Sequence, residues 1–288
     1  MNEMNGEKQY LELLEKTLSN GIRKSNRTGV DTIVHPYPVM IQHDMSLGFP
    51  LLTTKQVSFK QIRVELEGFI RGIMIKSWYQ KRGCTIWDEW CNPQKVPYGN
   101  DEDTKRKMLE TNDLGKIYGY QWRNFNGQGY DQLKKIIDTL RTNPDDRRML
   151  CVAWNPNHLD QQALPPCHWA FEIQHINGTL NLMWHQRSCD GPLGCPYNLA
   201  SYSLLLHLIC KETRMKEGIV TGVFNDFHIY ENQIEGVNEQ LSRDPDKYKF
   251  CKIETPNFTN IFDWDYTLTK SVGYKDNHYP KISMPVAV

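Results

Sequence analysis

Apolar and polar positions along the chain alternate with two periods, and the period changes mark the elements. Tyr10, Leu14 and Leu18 recur at helical spacing between charged residues, and Gly21 follows where a helix would be capped. Pro38 to His43 alternates like a half-buried strand, and Gly48 to Lys55 leads into a helix starting near Val57. On that helix Ile62, Leu66 and Phe69 form one stripe; at about 100° per residue Glu65 falls inside it and Glu67 points almost directly away. Leu133, Ile136, Ile137 and Leu140 give an amphipathic helix that Asn143-Pro144 stops. Met149 to Trp154, His168 to Ile176 and Thr179 to His185 read as strands, the last two joined by the hairpin signal Asn177-Gly178. Leu199 to Cys210 is apolar nearly all round and predicts a central buried helix, followed by a strand over Ile219 to Phe224. Tyr230, Ile234, Val237 and Leu241 mark one more amphipathic helix, ended near Asp244-Pro245. Helices and strands do not alternate regularly, so the expected fold is α+β on a largely antiparallel or mixed sheet.

No Gly/Ser-rich or Pro-rich linker divides the 288 residues, which favours one domain over 1–288, with a charged, exposed insertion at about 92–112. Lysine plus arginine (34) equals aspartate plus glutamate (34), so there is no global field to attract nucleic acid or an anionic membrane. Eight cysteines lie scattered, without a CxxC pair, which favours a reducing cytoplasm and argues against a metal site. The polar start and the lack of a long apolar run predict neither export nor a membrane span.

Chemistry concentrates in Leu164-Pro165-Pro166-Cys167-His168, Gln186-Arg187-Ser188-Cys189-Asp190 and Leu193-Gly194-Cys195-Pro196-Tyr197-Asn198-Leu199-Ala200-Ser201-Tyr202. The two prolines restrict the backbone before Cys167 and present its thiol at the start of a strand. A cysteine picked at random is a small buried hydrophobe; as a nucleophile this one needs a cation such as Arg187 to favour thiolate. Successive strand side chains point to opposite faces, so His168 is no ready-made base for it. Glu65 costs stability on an apolar stripe unless it is paired, for example with Arg63 or Arg71, or kept partly protonated, as a general acid/base would be.

In order and spacing, these three stretches resemble the signature of thymidylate synthase, and the resemblance extends from Arg27 to Val288. It implies one-carbon transfer from 5,10-methylenetetrahydrofolate to C5 of deoxyuridine monophosphate, without a metal. Cys167 is then the nucleophile, Glu65 with Tyr118 and His168 handles protons, and Asn198 binds the N3/O4 edge of the base. Arg27, Arg147, Arg148 and Arg187 hold the phosphate, with Gln186 and Ser188 beside them, and His228 and Tyr230 meet the sugar hydroxyl. Ile86, Trp87, Trp90, Lys55, Asp190, Leu193, Gly194, Tyr197 and Val288 line the folate site. In the family Arg147 and Arg148 reach across to a partner subunit, which implies an obligate homodimer, and the C-terminal tail closes over the ligands.

Several positions depart from the family pattern and suggest a divergent member, such as a viral one acting in a host cytoplasm. Where the synthases usually read Glu-Leu-Leu-Trp-Phe, this chain has Glu65-Leu66-Glu67-Gly68-Phe69, and Glu67 resembles deoxycytidylate hydroxymethylases. Glu172 replaces a usual glutamine, Tyr197 a usual phenylalanine, and Gly191-Pro192 also differ. Hydride in the last step would give thymidylate, whereas water reaching the intermediate, with Glu67 and Gly68 as the first places to look, would give 5-hydroxymethyl-deoxyuridylate. A binding protein for nucleotide, folate or RNA that has lost the chemistry is disfavoured, because every matched position is competent and no basic, aromatic-interleaved stripe exists.

Overall fold

The computed structural model describes residues 4–91 and 102–287. Its helices are α1 Gly6–Asn20, α2 Phe59–Arg71, α3 Lys76–Lys81, α4 Glu102–Thr111, α5 Tyr118–Arg123, α6 Gln132–Thr142, α7 Gly194–Thr213 and α8 Ile234–Leu241. Its strands are β1 Ile22–Lys24, β2 Thr32–Val34, β3 Val39–Asp44, β4 Leu150–Val152, β5 His168–Ile176, β6 Thr179–Gln186, β7 Cys189–Asp190, β8 Lys216–Phe224, β9 Phe227–Tyr230, β10 Lys252–Glu254 and β11 Lys270–Val272. The fold is α+β, as the patterning predicts.

The main sheet runs β3-β8-β6-β5-β4 and is mixed: β6 and β8 are parallel, the other neighbours antiparallel. Asn177 (φ 49°) and Gly178 (φ 79°) form the tight β5–β6 turn that their left-handed tolerance allows. One row across the sheet, Ile41, Gly222, Trp184, Phe171 and Cys151, is buried. It faces α7, because the Trp184 ring stacks on Tyr202 of that helix at 5.2 Å. The next row, Gln42, Thr221, Met183, Glu172 and Leu150, looks the other way and is only partly covered. Helix α7 is buried on nearly every side from Leu199 to Cys210, and the core is contiguous around it.

A second sheet, β1-β2-β9-β7, is absent from the sequence expectations because its strands are too short to show a period. The parallel pairing of β7 with β9 sets Asp190 beside His228.

Gly21 caps α1 as expected, its N–H donating to Thr17 O, while Glu67 departs from its expected setting and the insertion gains a helix. Gly21 ends α1 in extended backbone (φ −71°), so left-handedness is not its reason; a Cβ there would meet Thr17 O at 2.3 Å and Ile33 Cγ2 at 2.5 Å. Glu67 does point away from Glu65, but not to solvent, and is 1 % exposed. The far face of α2 is covered by the short turns Ile261–Asp263 and Tyr266–Leu268, which carry no periodic signal of their own. The expected insertion is in part helical, α4, with exposed Glu102, Asp103, Arg106 and Glu110; its residues 92–101 lie outside the described residues.

Candidate active site

Cys167 stands where the extended Pro165-Pro166 segment enters β5. Its backbone N–H donates to the Tyr118 hydroxyl at 2.8 Å, and its carbonyl accepts from Arg187 N at 2.9 Å. The residue keeps some solvent surface although its thiol is surrounded by protein, which is the situation of a group on the floor of a cleft. Asp190 shares that situation.

Arg187 acts on the thiol in the expected direction without outweighing its burial. Burial is the larger effect and pushes the Cys167 thiol up, while Arg187 and then Arg27 pull it down. The Arg187 guanidinium is tied to the carbonyls of Pro166 (2.9 Å) and Pro165 (3.0 Å) and lies over the Trp154 ring, so it also fixes the segment that presents Cys167. Arg27 projects from the β1–β2 turn, which Asn26 ties together through Val30 O and Thr28 N. Ser188 is half-buried, and Gln186 spends its amide inside the protein on Ser188 O and the Trp184 indole.

Glu65 reaches the same region from α2. Burial raises its carboxyl to about 7, and no cation among the described residues pairs with it, since Arg71 turns to Glu67 and Arg63 to the carbonyls of Tyr266 and Thr269. The Trp87 indole N–H draws Glu65 slightly back down but finds no partner in hydrogen-bonding geometry. Both groups are thus buried with spare hydrogen-bonding capacity, which a substrate or water could take up. Tyr118 stacks on His168 at 4.1 Å, and His168 Nδ1 meets the Tyr202 hydroxyl at 2.7 Å. Burial lowers His168 to about 3, so it works as a neutral ring.

Asn198 occupies the second turn of α7, half-buried, and its amide makes no hydrogen bond among the described residues. Asp190 accepts from Leu193 N at 3.0 Å and from Gln233 Nε2 at 3.1 Å; burial raises it, with Lys55 and His228 opposing. Lys55 is buried, brought down to about 8, and donates to Pro192 O. Gly191 is needed because a Cβ would strike the Phe227 ring at 2.5 Å. Tyr197 is half-buried and meets the Ser58 backbone at the start of α2; Leu193 and Gly194 are likewise half-buried. His228 Nδ1 bonds Asp226 at 2.7 Å, beside half-buried Tyr230.

Trp87, expected to line the folate site, is 3 % exposed and packs edge-on to Phe69 and Tyr118, while Ile86 and Trp90 are half-buried. Beside Gly68, a first place to look for water entry in the hydroxymethylase alternative, the space is filled by Tyr79: a Cβ at 68 would lie 2.3 Å from its fully buried ring, whose hydroxyl donates to Ile73 O at 3.0 Å.

Arg147 and Arg148 are not brought to this cleft. Met149 is level with Ile173 on β5, so Arg148 lies about 20 Å from Cys167 along the sheet at roughly 3.3 Å per residue. Both are exposed, and Arg148 forks onto Asp146 at 2.9 and 2.6 Å. Glu172 is also remote, paired with His185 on the open face of the sheet. Val288 lies outside the described residues, but the tail before it docks along α8 as far as Pro285. Sequence reasoning missed Tyr79, Tyr202 and Gln233; only Gln233 carried a signal, as a polar residue on the Tyr230–Val237 stripe.

A cleft with a seated thiol, an unpaired carboxyl near neutrality and an unengaged amide is equipped for covalent catalysis on a planar, hydrogen-bonding substrate. The family model described as thymidylate synthase matches residues 8–288, and the chain belongs to that family. One-carbon transfer to C5 of deoxyuridine monophosphate, with methylenetetrahydrofolate as co-substrate, is the family's reaction, which makes the protein a transferase of nucleotide biosynthesis. Among the described residues no cluster of His, Cys, Asp and Glu is arranged for a metal, and no helix is long and apolar enough to cross a membrane.

Proposed function

We propose that the protein reductively methylates deoxyuridine monophosphate to thymidylate. The observation that carries this reading is Tyr79 filling the space beside Gly68, which keeps the region of Glu65 and Trp87 closed to water from that side.

In this reading Cys167 Sγ bonds C6 of the uracil, and the C5=C6 electron pair moves towards O4. The Asn198 amide donates to O4 and accepts from N3–H, steadying that charge; the same two-sided capacity selects uracil over cytosine. C5 then takes up the one-carbon unit. Glu65, through water, exchanges the protons at O4 and C5, for which a carboxyl near 7 is suited. Loss of the C5 proton would expel tetrahydrofolate and leave an exocyclic methylene on the ring; hydride from that tetrahydrofolate, which becomes dihydrofolate, would complete the methyl group as the thiolate leaves C6. Asp190 orients the folate as a hydrogen-bond acceptor, with Lys55, Leu193, Gly194, Tyr197, Ile86, Trp87 and Trp90 around it.

Arg27 and Arg187, with Ser188, hold the nucleotide phosphate, and His228 with Tyr230 the sugar. Arg147 and Arg148 serve a second copy of the chain, consistent with their distance from the cleft and with Met40, Leu150 and Trp169 exposed at the sheet. The catalytic unit is then a homodimer of one-domain chains.

The test is product analysis. The wild type should yield thymidylate and dihydrofolate, and Cys167→Ser should lose at least ~10³-fold in turnover while still binding nucleotide. A wild type releasing tetrahydrofolate and 5-hydroxymethyl-deoxyuridylate would overturn the methylation reading, and near-normal turnover by the serine variant would overturn the covalent mechanism.

A further inference from the structure

We propose that Gln233 is a positioning residue that couples docking of the C-terminal tail to the placement of Asp190; it rests on the folate role assigned to Asp190 above.

Gln233 closes the short turn Glu231–Gln233 and is completely buried. Both donors of its amide are used and its oxygen accepts, and each bond goes to a different part of the molecule. Nε2 donates to Asp190 Oδ2 at 3.1 Å and to Pro285 O at 3.1 Å; Oε1 accepts from Tyr230 N at 3.2 Å. One rigid planar group therefore joins β7, the end of β9 and the tail. A planar amide cannot reorient one of these bonds without disturbing the other two, so release of Pro285 is felt at Asp190.

The tail is guided to this point. Tyr279 N donates to Thr53 O at 2.7 Å, and Arg243 bridges Thr54 O and Pro280 O at 2.6 and 2.8 Å. Ile282 and Met284 then lie against α8 where Gly236 has no side chain; a Cβ there would meet Met284 at 2.8 Å. Beyond Pro285, Val286 is 67 % exposed, so the Gln233 bond is the last anchor described. The same loop, Thr53-Thr54, precedes Lys55, which adds a second link between the tail and the surroundings of Asp190.

The experiment compares Gln233→Met, Gln233→Glu and a chain ending at Met284. Hydrogen exchange over residues 279–287 is measured on the ligand-free protein, and folate and nucleotide dissociation constants by titration. Gln233→Glu keeps the acceptor for Tyr230 N but removes both neutral donors, and serves if the methionine variant does not fold. Expected are faster exchange in the tail, folate affinity weakened by about 10- to 100-fold, and nucleotide affinity within about threefold. Combined with the truncation, either substitution should add less than about twofold, because the two changes break one link. Multiplying effects, or tail exchange unchanged in both variants, would overturn the proposal. Exchange needs no turnover, so a wild type that made no thymidylate would reject the function without deciding this coupling.

Discussion

Helix α2 buries a glutamate on each of two opposite faces, and the two are treated differently. Glu67 faces the turns at 261–268, where Arg71 Nε lies 2.8 Å from Oε1 and Tyr266 N donates to Oε2 at 3.2 Å. The Arg71 contact is a charge contact rather than an aligned hydrogen bond, and burial still raises the carboxyl. Glu65 faces Tyr118 and the Cys167 cleft with no paired cation among the described residues. Burial alone therefore does not set apart the carboxyl proposed to act on the substrate. The mark is a partner withheld, because a compensated carboxylate has nothing left to give a substrate.

The largest test of that contrast is Glu65→Gln, which keeps the shape and removes the proton exchange. It should lower kcat by about 10²- to 10⁴-fold in a steady-state assay, and a loss under tenfold would break the contrast from the active side. Tyr79→Ala, at the boundary between the faces, should cost about 3–5 kcal/mol in denaturant unfolding through the cavity it leaves. Chromatography of its products should show a rising share of 5-hydroxymethyl-deoxyuridylate; an unchanged product ratio would remove Tyr79 from the control of water.

Stability against pH sharpens the same comparison. Glu65 rises from 4.5 to about 7 on folding, so between those values the folded chain holds a proton that the unfolded chain has lost. The stabilisation is full below 4.5 and disappears as pH passes 7, a change of about 3 kcal/mol at 1.36 kcal/mol per pH unit. Glu65→Gln should flatten that fall and be the more stable protein at pH 8; an unaltered slope would mean the proton sits elsewhere. Smallest is Glu67→Leu, expected to destabilise by about 1–3 kcal/mol, since Arg71 is 35 % exposed and rehydrates in part. Its kcat should stay within about threefold of wild type.

The glutamates also show what was legible in the chain. The stripe Ile62, Leu66, Phe69 placed Glu65 because helical geometry is local. It could not place Glu67, whose burial depends on a segment some 200 residues away. The β5–β6 hairpin and α7 were readable for the same local reason, whereas the β1-β2-β9-β7 sheet is assembled from strands of two to four residues. At the site, residue types singled out Cys167, Asn198 and Asp190 as candidates. The balance between burial and Arg187 at the thiol did not show, nor did the exclusive use of Gln186 inside the protein, since both depend on neighbours in space. The position of Arg147 and Arg148 likewise became clear only through the register of β4 on β5.

Gly68 and Tyr79 finally bear on how such a site can change over generations. With ring atoms 2.3–2.5 Å from where a Cβ would stand, no larger residue can be accepted at 68 while the tyrosine remains. A lineage moving between this arrangement and one with tryptophan at 68 must alter position 79 first and survive the hollow that leaves. The two sites are bound into one inherited unit, and a swap at either alone is an evolutionary dead end unless the fold has stability to spare.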